Sequence, residues 1–209
     1  MTKSLSTLKT IGGLAAGAIA LSVYLRIIRP WQLRWGATDE EIARAMPGDN
    51  VIHNPTFVAT RAVTIDTPPE SIWPWLLQIG CRRAGWYSYD WIDNLGIPSA
   101  TRIIPELQHL EVGDLVPMSP DGKLGFIVKE IEPNKMMLWQ DKDGTTSWAW
   151  GLYKINESQT RLVTRVRIRY NWMSPTIIFF LLLDVGDIVM MHKCMLGIKQ
   201  RAEATSKKS

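Results

Sequence analysis

The sequence predicts an α+β protein: an antiparallel meander of strands closed by a long C-terminal helix, carried behind an N-terminal apolar helix. Three observations predict it. Between Leu115 and Trp172, runs rich in β-branched and aromatic residues alternate with tight turns. From Asp187 to Ala204, apolar residues recur at helical spacing. Residues 10–28 (TIGGLAAGAIALSVYLRII) hold no acidic residue and one charge, Arg26. The 209 residues, 46% hydrophobic and 21% charged, suffice for one domain with a proper core plus an appendage, and exclude wholesale disorder.

The chain opens on a short tail, residues 1–9. As a helix, residues 10–28 span roughly 28 Å, close to the hydrocarbon thickness of a bilayer. Lys3 and Lys9 precede this segment, and Arg26, Arg29 and Arg34 follow it together with Trp31 and Trp35. Arg29, Trp31, Arg34 and Trp35 are therefore the candidate membrane contacts, since Trp and Arg favour the interface. The rival reading is a cleaved signal peptide, with Ala18-Ile19-Ala20 as the small-x-small site. The apolar run continues into Val23, Tyr24 and Leu25, which favours an uncleaved single-pass anchor. The slight arginine excess after it favours a cytoplasmic C-terminal domain.

Residues 29–56 read as a linker with one short helix. Thr38 and Glu41 form a capping box, and Pro47-Gly48 stops the helix. The main domain then occupies residues 57–204. Phe57–Asp66 reads as a strand. Asp66-Thr67-Pro68-Pro69-Glu70 starts a helix with Thr67 as cap and Pro68 in the first position; it runs to Ile79 and ends at Gly80. Pro74 lies inside it and predicts a kink near Trp73. A second short helix covers Tyr89 to Leu95.

The meander comprises Leu115–Met118, Leu124–Ile131, Met136–Gln140, Thr145–Ile155 and Arg161–Trp172. The last strand alternates sharply. Leu162, Thr164, Val166, Ile168, Tyr170 and Trp172 point one way, Arg161, Val163, Arg165, Arg167, Arg169 and Asn171 the other. The arginine face is either a solvated outer face or an electrostatic contact with anionic headgroups or an acidic ligand. Ser174-Pro175 opens a further helix. Its residues 176–183 are apolar on every side but cover only about 12 Å, so they are buried or lie on a membrane surface. Asp184 and Asp187 bracket a break at Gly186. The final helix, Asp187–Ala204, presents Ile188, Met191, Met195, Ile198 and Ala202 on one face, and residues 205–209 form a disordered tail.

Several chemistries lack their residues. His53, His109 and His192 are scattered, with no HExxH pair, so no metal site is expected. No P-loop, dinucleotide fingerprint or GxSxG elbow occurs, and no cofactor is expected. The net charge of +4 is not concentrated in a run, and no nucleic-acid-binding module is present. Cys81 and Cys194 stand far apart and read as small buried hydrophobes. What remains is aromatic. Four of the ten tryptophans fall within Trp73–Leu95. Trp86, Tyr87 and Trp91 from that stretch, with Trp139, Trp148 and Trp150 from the strands, either line an apolar cavity or form a large aromatic core. His109 is near enough in sequence to add a polar contact. Met191 and Met195 suit packing or an adaptable pocket wall.

Several stretches carry a resemblance: WGATDEE at Trp35–Glu41, PGD at Pro47–Asp49, TRAVTIDTPPESIWPWLLQIG at Thr60–Gly80, RAGWYSYDWIDN at Arg83–Asn94, VGDLVP at Val112–Pro117, TRLVTRVR at Thr160–Arg167 and MLGIKQRAE at Met195–Glu203. The chain from Gly36 to Ala204 resembles the SRPBCC superfamily, the START-like helix-grip proteins that include the polyketide cyclase/dehydrase-like group. The resemblance implies a curved antiparallel sheet wrapped around the C-terminal helix, with a hydrophobic cavity between them. It places Trp86, Tyr87, Trp91, Trp139, Trp148 and Trp150 near that cavity or its entrance, with the GWYSYDW turn as its gate. It supplies no catalytic residue.

The expectation for function is a membrane-anchored domain that binds or transfers a hydrophobic ligand such as a lipid, isoprenoid or polyketide. One alternative is a cyclase/dehydratase-type enzyme in which His109, Tyr87 or an arginine handles protons. Another is a regulatory membrane protein that binds no ligand and uses the Arg165 and Arg167 face to meet a partner or anionic lipid.

Overall fold

The long N-terminal helix comes first in the chain. The computed structural model describes residues 2–173 and 177–207 and divides into two compact units after Leu33. The first unit holds α1 (Thr2–Val23), a π-helical turn at Tyr24–Ile28 and α2 (Arg29–Leu33). In the π-turn the Arg29 amide reaches the Tyr24 carbonyl, one residue further than in an α-helix. Gln32 Nε2 donates to the Tyr24 hydroxyl across it at 3.1 Å. Gly12–Leu33, 22 residues, is long and apolar enough to cross a membrane. It extends further than the 10–28 stretch because helix propensity carries through Arg26 and Arg29.

The second unit is built on one six-stranded sheet in the order β1-β6-β5-β4-β3-β2. The strands are β1 (Phe57–Ile65), β2 (Leu115–Pro117), β3 (Gly125–Glu132), β4 (Met136–Asp141), β5 (Thr146–Asn156) and β6 (Gln159–Ile168). Every pairing is antiparallel, so β2 to β6 form the expected meander and β1 closes on β6. Helices α3 (Asp39–Ala43), α4 (Pro69–Leu77), α5 (Asp90–Asp93) and α6 (Ile177–Ser206) complete the unit, with a 3₁₀ turn at Pro105–Leu107. Helix α6 lies against β1 and α4. This is an α+β helix-grip arrangement, as the resemblance implies.

Register assigns the two faces. Trp139 pairs with Trp148, Trp148 with Val166 and Val166 with Ala59. That face carries Phe57, Ile65, Phe126, Val128, Met137, Trp150 and Leu162, all buried. The opposite face carries Ala62, Leu138, Ala149 and Val163, which pack with Met46 and, at the edge, Ala37 and Val51. Residues 34–56 are therefore no linker: they cover the second face of the sheet.

This cover corrects the reading of the arginine face as solvated or membrane-facing. Arg165 is 4% exposed. Its guanidinium donates to Thr60 Oγ1 at 2.9 Å, to the Glu41, Ile42 and Arg44 carbonyls at 2.9 Å each, and to Asp49 at 2.6 Å. Arg161 pairs with Glu41 at 2.6 Å and also meets the Gly36 carbonyl. Glu41 is also the third helical residue of the capping box on α3, accepting from the Thr38 amide at 2.8 Å. Burial raises the Glu41 carboxyl, but Arg161 and the Thr38 amide outweigh it and hold it below the usual range. The arginines thus pin a polar backbone that would otherwise be buried without partners.

Three further boundaries differ. Helix α4 starts one residue late, at Pro69, with Pro68 as an N-cap that forms no side-chain bond; Thr67 Oγ1 is buried without a partner. Strand β6 ends at Ile168 rather than Trp172. Helix α6 runs unbroken through Gly186 to Ser206, so the tail is helical at residues 205 and 206; the Ser174-Pro175 start lies outside the described residues. Gly186 costs a helix about 1 kcal/mol. Asp184 and Asp187, held by Tyr170 and Arg61 on either side of it, fix the helical phase across it.

Replacing Arg165 with leucine leaves Asp49 and three carbonyls short of a donor. Denaturant unfolding should show a loss of about 3–5 kcal/mol, the range for breaking a buried pair from one side. Loss below about 1 kcal/mol would mean that the cover over the sheet does not depend on it.

Candidate functional site

The sheet face toward α6 is aromatic. Trp86 stacks on Trp148 at 5.7 Å with the planes 4° apart, and Trp148 stacks on Trp150 at 5.0 Å. Trp139 meets Trp148 and Trp150 edge-on at 5.4 and 5.7 Å, and Phe126 closes the group at 5.5 Å from Trp148. All five rings are buried. Contacts at these distances are the preferred offset and edge geometries of packed rings. Trp148 Nε1 donates to Thr164 Oγ1 at 2.7 Å, whereas Trp139 Nε1 and Trp150 Nε1 are buried with no acceptor. Each unmatched donor costs about 1–3 kcal/mol. The expected cavity region is thus occupied by its own rings.

Beside this cluster the chain between α4 and the 3₁₀ turn folds tightly. Gly80 and Gly85 form an antiparallel bridge, and Tyr87 adopts φ 57°, strained for a residue with a side chain. The surroundings over-determine that strain. The Tyr87 amide donates to Ser99 Oγ at 3.1 Å, and its hydroxyl donates to the Trp75 carbonyl at 3.1 Å while accepting from Gln78 at 3.0 Å. Burial raises the phenol well above its ordinary pKa. On the other side Gly197 lets α6 approach: a Cβ there would stand 2.3 Å from the Tyr87 carbonyl oxygen.

The open space lies along this seam. One groove of about 520 Å³ is walled by Tyr87, Ser88 and Asp90 from the loop and by His192, Leu196 and Arg201 from α6. A second, about 490 Å³, continues past Arg102 and Ile103 to Ala204 and shares Gln200 and Arg201 with the first. Arg201 stands at the junction. Its guanidinium lies 4.5 Å over the Tyr87 ring, and it donates to the Ala100 and Gly197 carbonyls at 2.8 and 3.1 Å. No described carboxylate forms an ion pair with it. Burial lowers its pKa, opposed by the proximity of Tyr87 and Asp90. Asp90 itself is engaged by the Ser99 amide at 3.0 Å and by the Ser99 hydroxyl. The result is a cation with spare donors facing a partly apolar groove, the arrangement that takes an anionic or strongly polar head.

The structure brings Trp86, Trp139, Trp148 and Trp150 together, with Tyr87 in the adjoining layer and edge-on to Trp75 at 5.9 Å. Met191 and Met195 are buried on the inner face of α6. Trp91 is 76% exposed on α5, and His109 is exposed ahead of β2. Of the candidate membrane contacts, Trp31 is exposed on α2 together with the partly buried Arg29, Arg34 pairs with Asp39, and Trp35 packs edge-on against His192 at 4.3 Å. Sequence reasoning missed Phe126, Ser99, Gln200 and Arg201. The signal for Arg201 is Gly197 one turn before it, a glycine inside a helix that marks close backbone approach. Among the described residues no group of three His, Cys, Asp or Glu side chains converges to hold a metal ion.

No protein-family model matches the chain, and no curated protein matches it. Among solved structures it is similar to a START superfamily protein from Mycobacterium smegmatis, at 9% identity and TM-score 0.42, over 71% of this chain and 98% of that one. It is similar to a polyketide-cyclase-like protein from Corynebacterium glutamicum, at 16% identity and TM-score 0.33, over 72% and 83%. A protein from Nitrosomonas europaea is similar at 10% identity and TM-score 0.45, over 72% and 96%. The fold assignment stands on the strand order and register described above.

Asp93, beside the groove loop, offers a pH test. Burial first, and the nearby Asp90 second, push its pKa up to about 6, opposed by a hydrogen bond with Ser88. A folded-state pKa above the unfolded one means that stability falls as pH rises from about 4 to about 6 and stays lower above that. Asp93→Asn should raise the thermal midpoint at pH 8 by a few degrees, about 1 kcal/mol after allowance for solvent screening, and leave it unchanged at pH 4. An equal shift at both pH values would refute the assignment.

Proposed function

We propose that this chain is a membrane-anchored domain that binds or transfers an apolar ligand with a polar or anionic head, such as a lipid, isoprenoid or polyketide-like molecule. One observation carries the reading: Arg201, without an ion-pair partner, sits where two grooves of about 500 Å³ meet along α6. Leu196, Ile103, Ala204 and the Tyr87 ring give the grooves apolar wall, and Arg201, Gln200 and Arg102 give them donors. Such a lining fixes the orientation of a ligand whose body gains from leaving water. The helix Gly12–Leu33, by length and composition, supports an anchor that holds the domain at the source of such ligands.

Binding is favoured over proton chemistry by how the titratable groups are used. The Tyr87 hydroxyl is spent on Trp75 and Gln78 inside the core, and His109 is exposed away from the rings. A general acid or base needs to reach the substrate; of the candidates, an arginine alone stands in the grooves with its side chain free for a ligand, and it serves as a donor.

The test is titration of the detergent-solubilised full chain with cis-parinaric acid, read by its fluorescence, beside the methyl ester of the same probe. The acid should bind about ten- to a hundred-fold more tightly than the ester, the worth of one charged hydrogen bond. Arg201→Gln should remove that difference while leaving the melting temperature within a few degrees. Equal affinity of acid and ester for the unaltered chain would overturn the proposed head-group site.

A further inference from the structure

In the first half of helix α6 two carboxylates face inward and four aliphatic side chains face outward. Asp184 is 8% exposed and accepts from the Tyr170 hydroxyl at 3.0 Å, and Asp187 pairs at 2.5 Å with Arg61, itself 1% exposed. The acidic side chains thus face the sheet. Facing outward are Ile178 and Leu182 at 67% exposure each, Val185 at 56% and Val189 at 53%. Their spacing of four, three and four residues makes one continuous stripe. A helix bordered by water places charge outward and aliphatic residues inward; here the order is reversed. Trp172, 64% exposed, stands just before the helix, and Trp91, 76% exposed, lies on α5, three residues after Ser88, whose hydroxyl donates to the Met190 carbonyl of α6. Outward aliphatic stripe and flanking tryptophans are the composition of a surface seated at a lipid interface.

A second observation fixes what covers the stripe. The apolar helix ends at Leu33, and the folded unit begins one residue later, at Arg34. Trp35 is fastened to that unit: its ring meets His192 of α6 at 4.3 Å, and its carbonyl accepts from the Ala62 amide at 3.2 Å. The tether point therefore lies on α6, one turn from Val189, the end of the stripe. The stripe reaches back from there by about 20 Å along the helix. The chain that leaves the apolar helix thus enters the folded unit beside His192 of α6 and Ala62 of β1.

We infer that the outer face of α6 from Ile178 to Val189 docks in the headgroup–acyl boundary of the same membrane that the N-terminal helix crosses. This inference rests on the anchor reading above. His192 lines the groove as well as holding Trp35, so the docked face brings the mouth of the groove to the lipid surface.

The experiment is site-directed fluorescence quenching of the full chain reconstituted in phosphatidylcholine vesicles that carry spin-labelled lipid. Single cysteines for a maleimide fluorophore are placed at Leu182, at Leu21 in the anchor, and at Leu124 in the turn before β3; the native Cys81 and Cys194 are buried and serve as background. The Leu182→Cys label should lose at least half its fluorescence, as the Leu21→Cys label does, while the Leu124→Cys label loses none. Quenching at Leu21 without quenching at Leu182 overturns the docking surface and leaves the anchor standing. A blue-shifted Leu182 label that spin-labelled lipid does not quench means that a second protein surface covers the stripe, which also overturns it. No quenching at Leu21 overturns the anchor itself.

Discussion

The domain depends on how α6 is seated. At one end the seat is electrostatic: Asp187 reaches through the sheet–helix interface to Arg61, and Asp184 to Tyr170. At the other it is steric: Gly197 lets the backbone of α6 close on the Tyr87 carbonyl, where any side chain would collide. Between them Met191, Met195 and Ile198 fill the gap with apolar contact. The two ends differ in consequence. A buried ion pair fixes register more than it adds stability. The glycine contact sets the distance between loop and helix, and hence the width of the groove at Arg201.

The same seat places the two grooves along α6 beside the aromatic cluster. Five stacked and edge-on rings fill the sheet face, and cores of this kind pack to crystal-like density. The loop that carries Trp86 into that cluster also carries Tyr87 onto α6 and Asp90 to the groove wall. The aromatic packing and the groove wall therefore share one short stretch of chain. The strain at Tyr87 is held by three hydrogen bonds and a glycine contact, more restraint than a movable lid carries.

Much of the architecture was legible in sequence because it is written in local periodicity. The meander strands stand within one or two residues of expectation except where β6 stops short, and the Thr38–Glu41 capping box is present in full. The aromatic cluster was legible as residue types, and its four strand and loop tryptophans do converge. What was not legible depends on contacts distant in sequence. The arginines of β6 read as solvated because alternation reports only that one face is polar; the partners that bury them are in residues 41–49, about 120 positions earlier. Asp184, Gly186 and Asp187 read as a break because helix propensity is low there, while Tyr170 and Arg61 supply the tertiary reason to continue. Arg201 carried no signal beyond Gly197 one turn before it; only the fold sets it where the two grooves meet, with Lys193 and Arg102 also in their walls.

The inverted half of α6 makes the polar interior and the apolar exterior one problem. Arg61 lies on the inner face of β1 among Phe57, Ala59 and Ile65, where a lone guanidinium is strongly unfavourable. An acidic residue on the facing helix answers that charge, so the inward stripe of α6 is acidic at that level. Once charge occupies the inward side, the outward side is left to Ile178, Leu182, Val185 and Val189, and their exposure is the counterpart of the buried pair. In water that arrangement gains nothing from its aliphatic face. At a lipid surface both halves are satisfied: the carboxylates meet Arg61 and Tyr170 inside, and the aliphatic stripe meets acyl chains outside. Reversed polarity is thus what the docking inferred above would require of a helix that closes a sheet on its other side.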